Sequence, residues 1–124
     1  MEQQEFYVRN GQSWEISLVP LLDENSFRQK ILKGCSQDDR LVNLFACLED
    51  TGNIRIFSML GKDQEGKLSV LSIRIPPDKA SFQSLTPELA QAHMFEREIA
   101  EQFAVTPVGH PWLKPVRYHS NDRN

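Results

Sequence analysis

Leu41-Val42-Asn43-Leu44-Phe45-Ala46-Cys47-Leu48-Glu49-Asp50-Thr51-Gly52-Asn53-Ile54-Arg55-Ile56-Phe57-Ser58-Met59-Leu60 is the stretch that decides the fold. Two apolar runs flank Thr51-Gly52-Asn53, a turn signal. The run 41–48 is apolar at nearly every position, which predicts a central strand covered on one face and crowded on the other. The chain turns back through Ile54 to Leu60. A longer loop, Gly61-Lys62-Asp63-Gln64-Glu65-Gly66, then returns it as Leu68 to Ile75. Pro76-Pro77 stops that strand, because proline cannot donate to the ladder. Three strands in a row joined by short connections make an antiparallel meander.

Toward the N-terminus, Phe6-Tyr7-Val8-Arg9 and Ser13-Trp14-Glu15-Ile16-Ser17-Leu18 flank Asn10-Gly11, a two-residue hairpin signal. Trp14, Ile16 and Leu18 alternate with polar residues, so one face of that strand is expected to be buried, and Pro20 ends it. From Asp23 to Lys33 the period becomes helical. Phe27 and Ile31 face the core, Arg28, Lys30 and Lys33 face water, Asp23 is the N-cap and Gly34 the stop.

After a loop over 78–85, Thr86-Pro87-Glu88 has the marks of a helix start, and the helix is expected to run to Phe103. At about 100° per residue, Leu89, Ala92, Phe95, Ile99, Ala100 and Phe103 share one apolar arc. Glu96 falls inside that arc, while Arg97, Glu98 and Glu101 point the other way. A core-facing carboxylate costs several kcal/mol unless it is paired or hydrogen-bonded. Glu96 therefore has a partner, in this domain or on another protein. The loop Thr106-Pro107-Val108-Gly109-His110-Pro111 ends the helix, and 112–124 is an irregular tail. The order β-β-α-β-β-β-α reads as an α+β, two-layer fold: a mainly antiparallel sheet with two helices on one face, one domain over 1–124.

The bulk properties narrow the function. Net charge is −3, with 40% hydrophobic and 25% charged residues, ordinary for a soluble domain and short of the basic face that nucleic acid requires. No run approaches the roughly 18 apolar residues of a membrane span. The start, Met1-Glu2-Gln3-Gln4-Glu5, lacks the blocks of a signal peptide, so the cytoplasm is the expected compartment. Cys35 and Cys47 are expected as reduced structural thiols. With His93, His110 and His119 they have no metal-ligand spacing.

Candidate chemistry is sparse. There is no phosphate loop and no nucleophile elbow, and Gly52, Gly61 and Gly66 belong to hairpin turns. Glu96 with His93 or His110 forms a possible acid–base pair. The structural alternative is that Glu96 accepts hydrogen bonds from backbone N–H groups or an arginine and fixes the loop after the helix. Arg97 and Glu98 read as a solvated ion pair worth under about 1 kcal/mol. Trp112 either caps the core edge or anchors a partner.

Ser81-Phe82-Gln83-Ser84-Leu85-Thr86-Pro87, Ala92-His93-Met94-Phe95-Glu96-Arg97-Glu98-Ile99 and Gly109-His110-Pro111-Trp112-Leu113-Lys114 resemble the thirty-kilodalton subunit of NADH dehydrogenase, respiratory complex I. Arg40 to Ala46 is similar to the family's first central strand. The wording is most similar to the branch found with membrane-bound nickel–iron hydrogenase and formate hydrogenlyase, and the absence from this sequence of the long C-terminal extension of respiratory versions favours the same branch. The resemblance implies a peripheral-arm subunit without a cofactor of its own, the iron–sulfur clusters or nickel–iron site lying in partner subunits. It implies packing against a large subunit and a neighbouring iron–sulfur subunit, with no direct membrane insertion and attachment to the inner face of the membrane through the complex. The motif residues, and so the implied partner interface, are His93, Glu96, Arg97, Glu98, Glu101, Gly109, His110, Pro111, Trp112 and Lys114. The sequence departs from the family at four of its positions. Glu101 replaces an aspartate, Ala104 a glycine, and Trp112 and Lys114 an aspartate and an arginine. Ala104 weighs against a left-handed helix cap, and Lys114 against a bidentate carboxylate contact. A stand-alone enzyme or binding module using Glu96 and His110 is the competing reading.

Overall fold

The computed structural model describes residues 7–9 and 18–111. Strands β1 (Tyr7–Arg9), β2 (Arg40–Leu48), β3 (Ile54–Lys62) and β4 (Lys67–Ile75) form an antiparallel sheet in the order β1-β4-β3-β2. The meander is as expected, with Gly52 and Gly66 at positive φ in its two connections. Gly61 belongs instead to β3, paired with Arg40 and Leu68. The Asn10-Gly11 turn and Ser13–Ser17 lie outside the described residues. Leu18 is exposed rather than inward-facing.

Strand β2 is an edge strand, not the central one that its apolar run predicts. The central strands are β3 and β4. The free edge of β4 beyond β1 is taken by 20–22: Ser72 N–H donates to the Pro20 carbonyl (3.0 Å) and Leu22 N–H to the Ser72 carbonyl (2.9 Å).

Helix α1 (Glu24–Ser36) begins where Asp23 Oδ1 accepts from Ser26 N–H at 2.8 Å, a cap worth about 1 kcal/mol. Phe27 and Ile31, four residues apart, face the sheet and are buried. Gly34 does not stop this helix. It lies inside it, where a Cβ would come within 2.7 Å of Asp39 Oδ2 and 3.1 Å of Leu60 Cδ1, so its smallness serves a close approach. Arg28 is not solvated: it reaches across to the loop before the second helix.

Helix α2 runs from His93 to Phe103, starting six residues later than the expected Pro87. Leu89 is extended (φ −142°, ψ 91°), and a single 3₁₀ turn over Ala90–Ala92 leads into the helix. On either side of α2 the chain forms two strands too short for any periodicity to show, β5 (Ser81–Gln83) and β6 (Thr106–Val108), which pair in parallel. Parallel strands need a crossover, and α2 is that crossover.

One face of the sheet carries the main core, in which Leu44, Ile56, Leu71 and Ile73 meet Phe27 and Ile31 of α1 and Ile99 of α2. The other face carries a smaller cluster of Val19, Phe57 and Val70, with Phe45, Cys47, Met59 and Leu68 partly buried beside it. Phe45 and Phe57 stack at 5.1 Å between ring centroids. The buried Arg55 pins the chain at Val19 to this face. It donates to the Val19 carbonyl and to Ser72 Oγ, each at 3.0 Å, and lies 5.2 Å from the centre of the Phe57 ring. Burial pushes the thiols of Cys35 and Cys47 up from their ordinary pKa, which makes both poor nucleophiles.

Candidate functional site

The site is built around Glu96. Its position in the apolar arc of α2 takes it fully into the interior (0% exposed). There its carboxylate meets the chain at Ser84–Thr86. Oε1 accepts from Ser84 Oγ (2.6 Å) and from Thr86 Oγ1 (2.8 Å), and Oε2 accepts from Leu85 N–H (2.7 Å). Ser84 Oγ also accepts from Thr86 N–H at 3.1 Å. Its partner is therefore internal, and the loop it holds precedes the helix rather than following it. The same contacts explain why α2 starts late. Thr86 spends its hydroxyl on Glu96 instead of capping a helix, so the Thr-Pro-Glu start signal is overridden by a tertiary bond.

Helix α1 holds the same loop from the other side. Arg28 Nη1 donates to the Ser84 carbonyl at 2.7 Å and Nη2 to Glu88 Oε1 at 2.9 Å, while Gln83 N–H donates to Glu24. The loop over 83–88 is thus held between both helices. Reading the sequence alone missed Ser84, Arg28 and Glu24. The one available signal was a pair of hydroxyl residues ten and twelve positions before a core-facing carboxylate.

At the C-terminal end of α2, Ala104 adopts the left-handed conformation (φ 57°, ψ 35°), with its N–H donating to the Ala100 carbonyl at 3.0 Å. The cap that alanine argued against is present. The chain then turns into β6, which is drawn against the held loop by a bond from Ser84 N–H to the Val108 carbonyl (2.9 Å). His110 N–H closes a turn on the Pro107 carbonyl (3.2 Å), with Gly109 at φ 90°, where a side chain would be strained.

This turn carries His110 back to the first residue of α2. The His110 and His93 rings lie 5.1 Å apart, and His110 Nε2 is 3.3 Å from the His93 carbonyl. Exposed Met94 and Val108 border the pair, and Arg97 Nη1 lies 3.6 Å from Met94 Sδ. Of the motif residues, His93, Arg97, Gly109, His110 and Pro111 converge on this corner. Glu98 and Glu101 lie half-buried on α2, and Glu96 points inward. Trp112 and Lys114 lie outside the described residues, as does the tail 112–124.

Among the described residues no group of three or more His, Cys, Asp or Glu side chains is placed to hold a metal ion. No described helix is long and apolar enough to cross a membrane. Both oxygens of Glu96 are engaged by donors in the interior, which is the geometry of a structural tie.

The comparisons agree with this architecture. Residues 16–121 match the family described as respiratory-chain NADH dehydrogenase, 30 Kd subunit. No curated protein matches the sequence. Among solved structures, the trypsin-resistant fragment (1-134) of Nqo5 in P63 form is similar with a TM-score of 0.61 and 19% identity, covering 88% of this chain and 89% of that one. At that identity the likeness speaks for the fold alone.

Proposed function

Because the chain belongs to the family of the 30 kDa subunit of respiratory-chain NADH dehydrogenase, we propose that it is a non-catalytic subunit that braces the large subunit of a complex I-like oxidoreductase. Electron transfer from NADH, formate or hydrogen would then run through clusters or a nickel–iron site in neighbouring chains. The chain itself supplies shape, and the complex holds it at the inner face of the membrane.

The observation that carries this reading is the use made of the family motif. Both carboxylate oxygens of Glu96 are engaged in holding one loop, and that loop in turn seats β6 beside the His93–His110 corner. Glu96, the acid of the motif, is fully buried, and the surface it supports carries the exposed apolar side chains of Met94 (49% exposed) and Val108 (48% exposed). Exposed apolar side chains bordered by arginine and histidine suit a protein contact of more than about 1,000 Å². Within the family, the hydrogenase-like branch is favoured by the wording of 81–114, and the family description itself speaks of NADH dehydrogenase.

The test is affinity capture of the tagged chain from its native membrane, with the bound chains identified by mass spectrometry. A hydrogenase-type or complex I-type large subunit should co-purify, and Met94→Glu with Val108→Glu should reduce its recovery about tenfold. Turnover of hydrogen, formate or NADH with a dye acceptor by the isolated chain would overturn the reading.

A further inference from the structure

Strand β2 presents a contradiction: its composition belongs to the middle of a sheet, and its place is at the edge. Glu49 N–H donates to the Asn53 carbonyl at 2.8 Å, so the backbone of Glu49 faces β3. Alternation along an antiparallel ladder then turns the N–H and C=O groups of Leu48, Ala46 and Leu44 outward. The start of this edge is guarded. A bulge interrupts the ladder between Leu41 and Asn43, and Leu41 N–H donates to Gln91 Oε1 at 3.0 Å. Past the bulge the guard ends. Among the described residues no backbone hydrogen bond reaches Leu44, Ala46 or Leu48 from outside the sheet. No charge and no proline occurs from Leu41 to Leu48, and Leu48 is 65% exposed. Soluble monomers protect such an edge with lysine, proline, a bulge or a covering element. Among the described residues, half the strand is protected and half is bare.

We propose that the outer edge of β2, from Leu44 to Leu48, takes up an extended strand from another subunit of the complex, which continues the sheet. This rests on the proposed function, since it is a subunit family that supplies different chains as neighbours. The bonding pattern selects the occupant. Donors and acceptors recurring at every second residue, about 6.8 Å apart, match an extended chain and not a helix. The side chains select its character. On one side the incoming strand continues the layer of Leu44, Ala46 and Leu48, and on the other that of the half-buried Phe45 and Cys47. It is therefore uncharged and apolar on both faces, over about five residues.

The test compares backbone hydrogen exchange in the isolated chain and in the complex captured from the native membrane. Amides of Ala46 and Leu48 should exchange at least about tenfold more slowly in the complex. Ala46→Pro removes an outward donor without touching the β2–β3 ladder, as edge strands allow; it should keep the melting temperature of the free chain and lose most large-subunit recovery. Should Ala46→Pro unfold the chain, Leu48→Lys on the exposed end serves instead, with the same expected loss. Unchanged exchange in the complex, full recovery by a folded edge variant, or protection that appears in the isolated chain on raising its concentration (pairing of two copies) would each overturn the proposal. If the wild-type chain captures no oxidoreductase subunit, the proposed function fails first and the strand addition with it.

Discussion

Replacing Glu96 removes the acceptor that ties α2 to the loop over 84–86. Glu96→Ala leaves three buried donors, Ser84 Oγ–H, Leu85 N–H and Thr86 Oγ1–H, facing a cavity at a position that is 0% exposed. Each bond to a carboxylate is worth about 1.5–3 kcal/mol and the three share one acceptor group, so their losses do not add. An overall loss of about 3–5 kcal/mol is expected, the range seen when one partner of a buried charged network is removed. Against a total of about 5–15 kcal/mol for a domain, this is a large fraction. It corresponds to a fall in melting temperature of about 12–20 °C. Glu96→Gln should cost less, about 1–2 kcal/mol, because its oxygen can keep Leu85 N–H while the two hydroxyls rotate to accept from its amide. Urea unfolding followed by far-ultraviolet circular dichroism measures both, and Ser84→Ala with Glu96→Gln closes a double-mutant cycle that should show coupling of at least about 0.5 kcal/mol. A loss below about 1 kcal/mol for Glu96→Ala would refute the reasoning, because it would mean the loop does not depend on the carboxylate.

Three further outcomes follow from single residues. Ala104→Gly should stabilise the chain by about 0.5–1 kcal/mol in urea unfolding, since Ala104 sits at φ 57° where only glycine is free of the Cβ penalty. Ser58→Ala should be neutral or stabilising by up to about 1 kcal/mol, because Ser58 Oγ is buried with no hydrogen-bond partner among the described residues. The Arg74 guanidinium, bonded to Glu49, holds the Glu49 carboxyl below its ordinary pKa. A depressed carboxylate stabilises the fold above its unfolded pKa, and the contribution is lost as the pH falls through the folded one. The stability gap between wild type and Glu49→Gln, measured by urea unfolding across acid pH, should therefore close as the pH is lowered; a gap that widens would contradict the assignment.

Much of the architecture is legible in the residues themselves. The meander from Leu41 to Ile75 and the inward turn of Glu96 follow from periodicity and turn chemistry, because those features are local. The parts that escape are decided by contacts far apart in sequence. Strands β5 and β6 are three residues each and exist only because α2 returns the chain beside 81–83. Thr86-Pro87-Glu88 carries a proper helix start, and a bond to a carboxylate ten residues away defeats it. Gly34 looks like a helix stop, but its role comes from the approach of Asp39 and Leu60. Arg28 reads as a solvated cation until the loop over 83–88 folds against it. At the site, the motif identified its residues but not the division of labour among them: Glu96 ties the core, while His93 and His110 form the surface that it supports. The apolar run of β2 predicted burial on a sheet interior, and its edge position is where fold and composition disagree.

Blue-native gel analysis of membranes from cells lacking this chain, probed for the large subunit, tests the central claim most directly. Loss of the assembled complex, with recovery when the wild-type chain is supplied and not when a folded Met94→Glu, Val108→Glu chain is supplied, is the predicted result. A complex of unchanged size and full electron-transfer activity in the absence of the chain would contradict it.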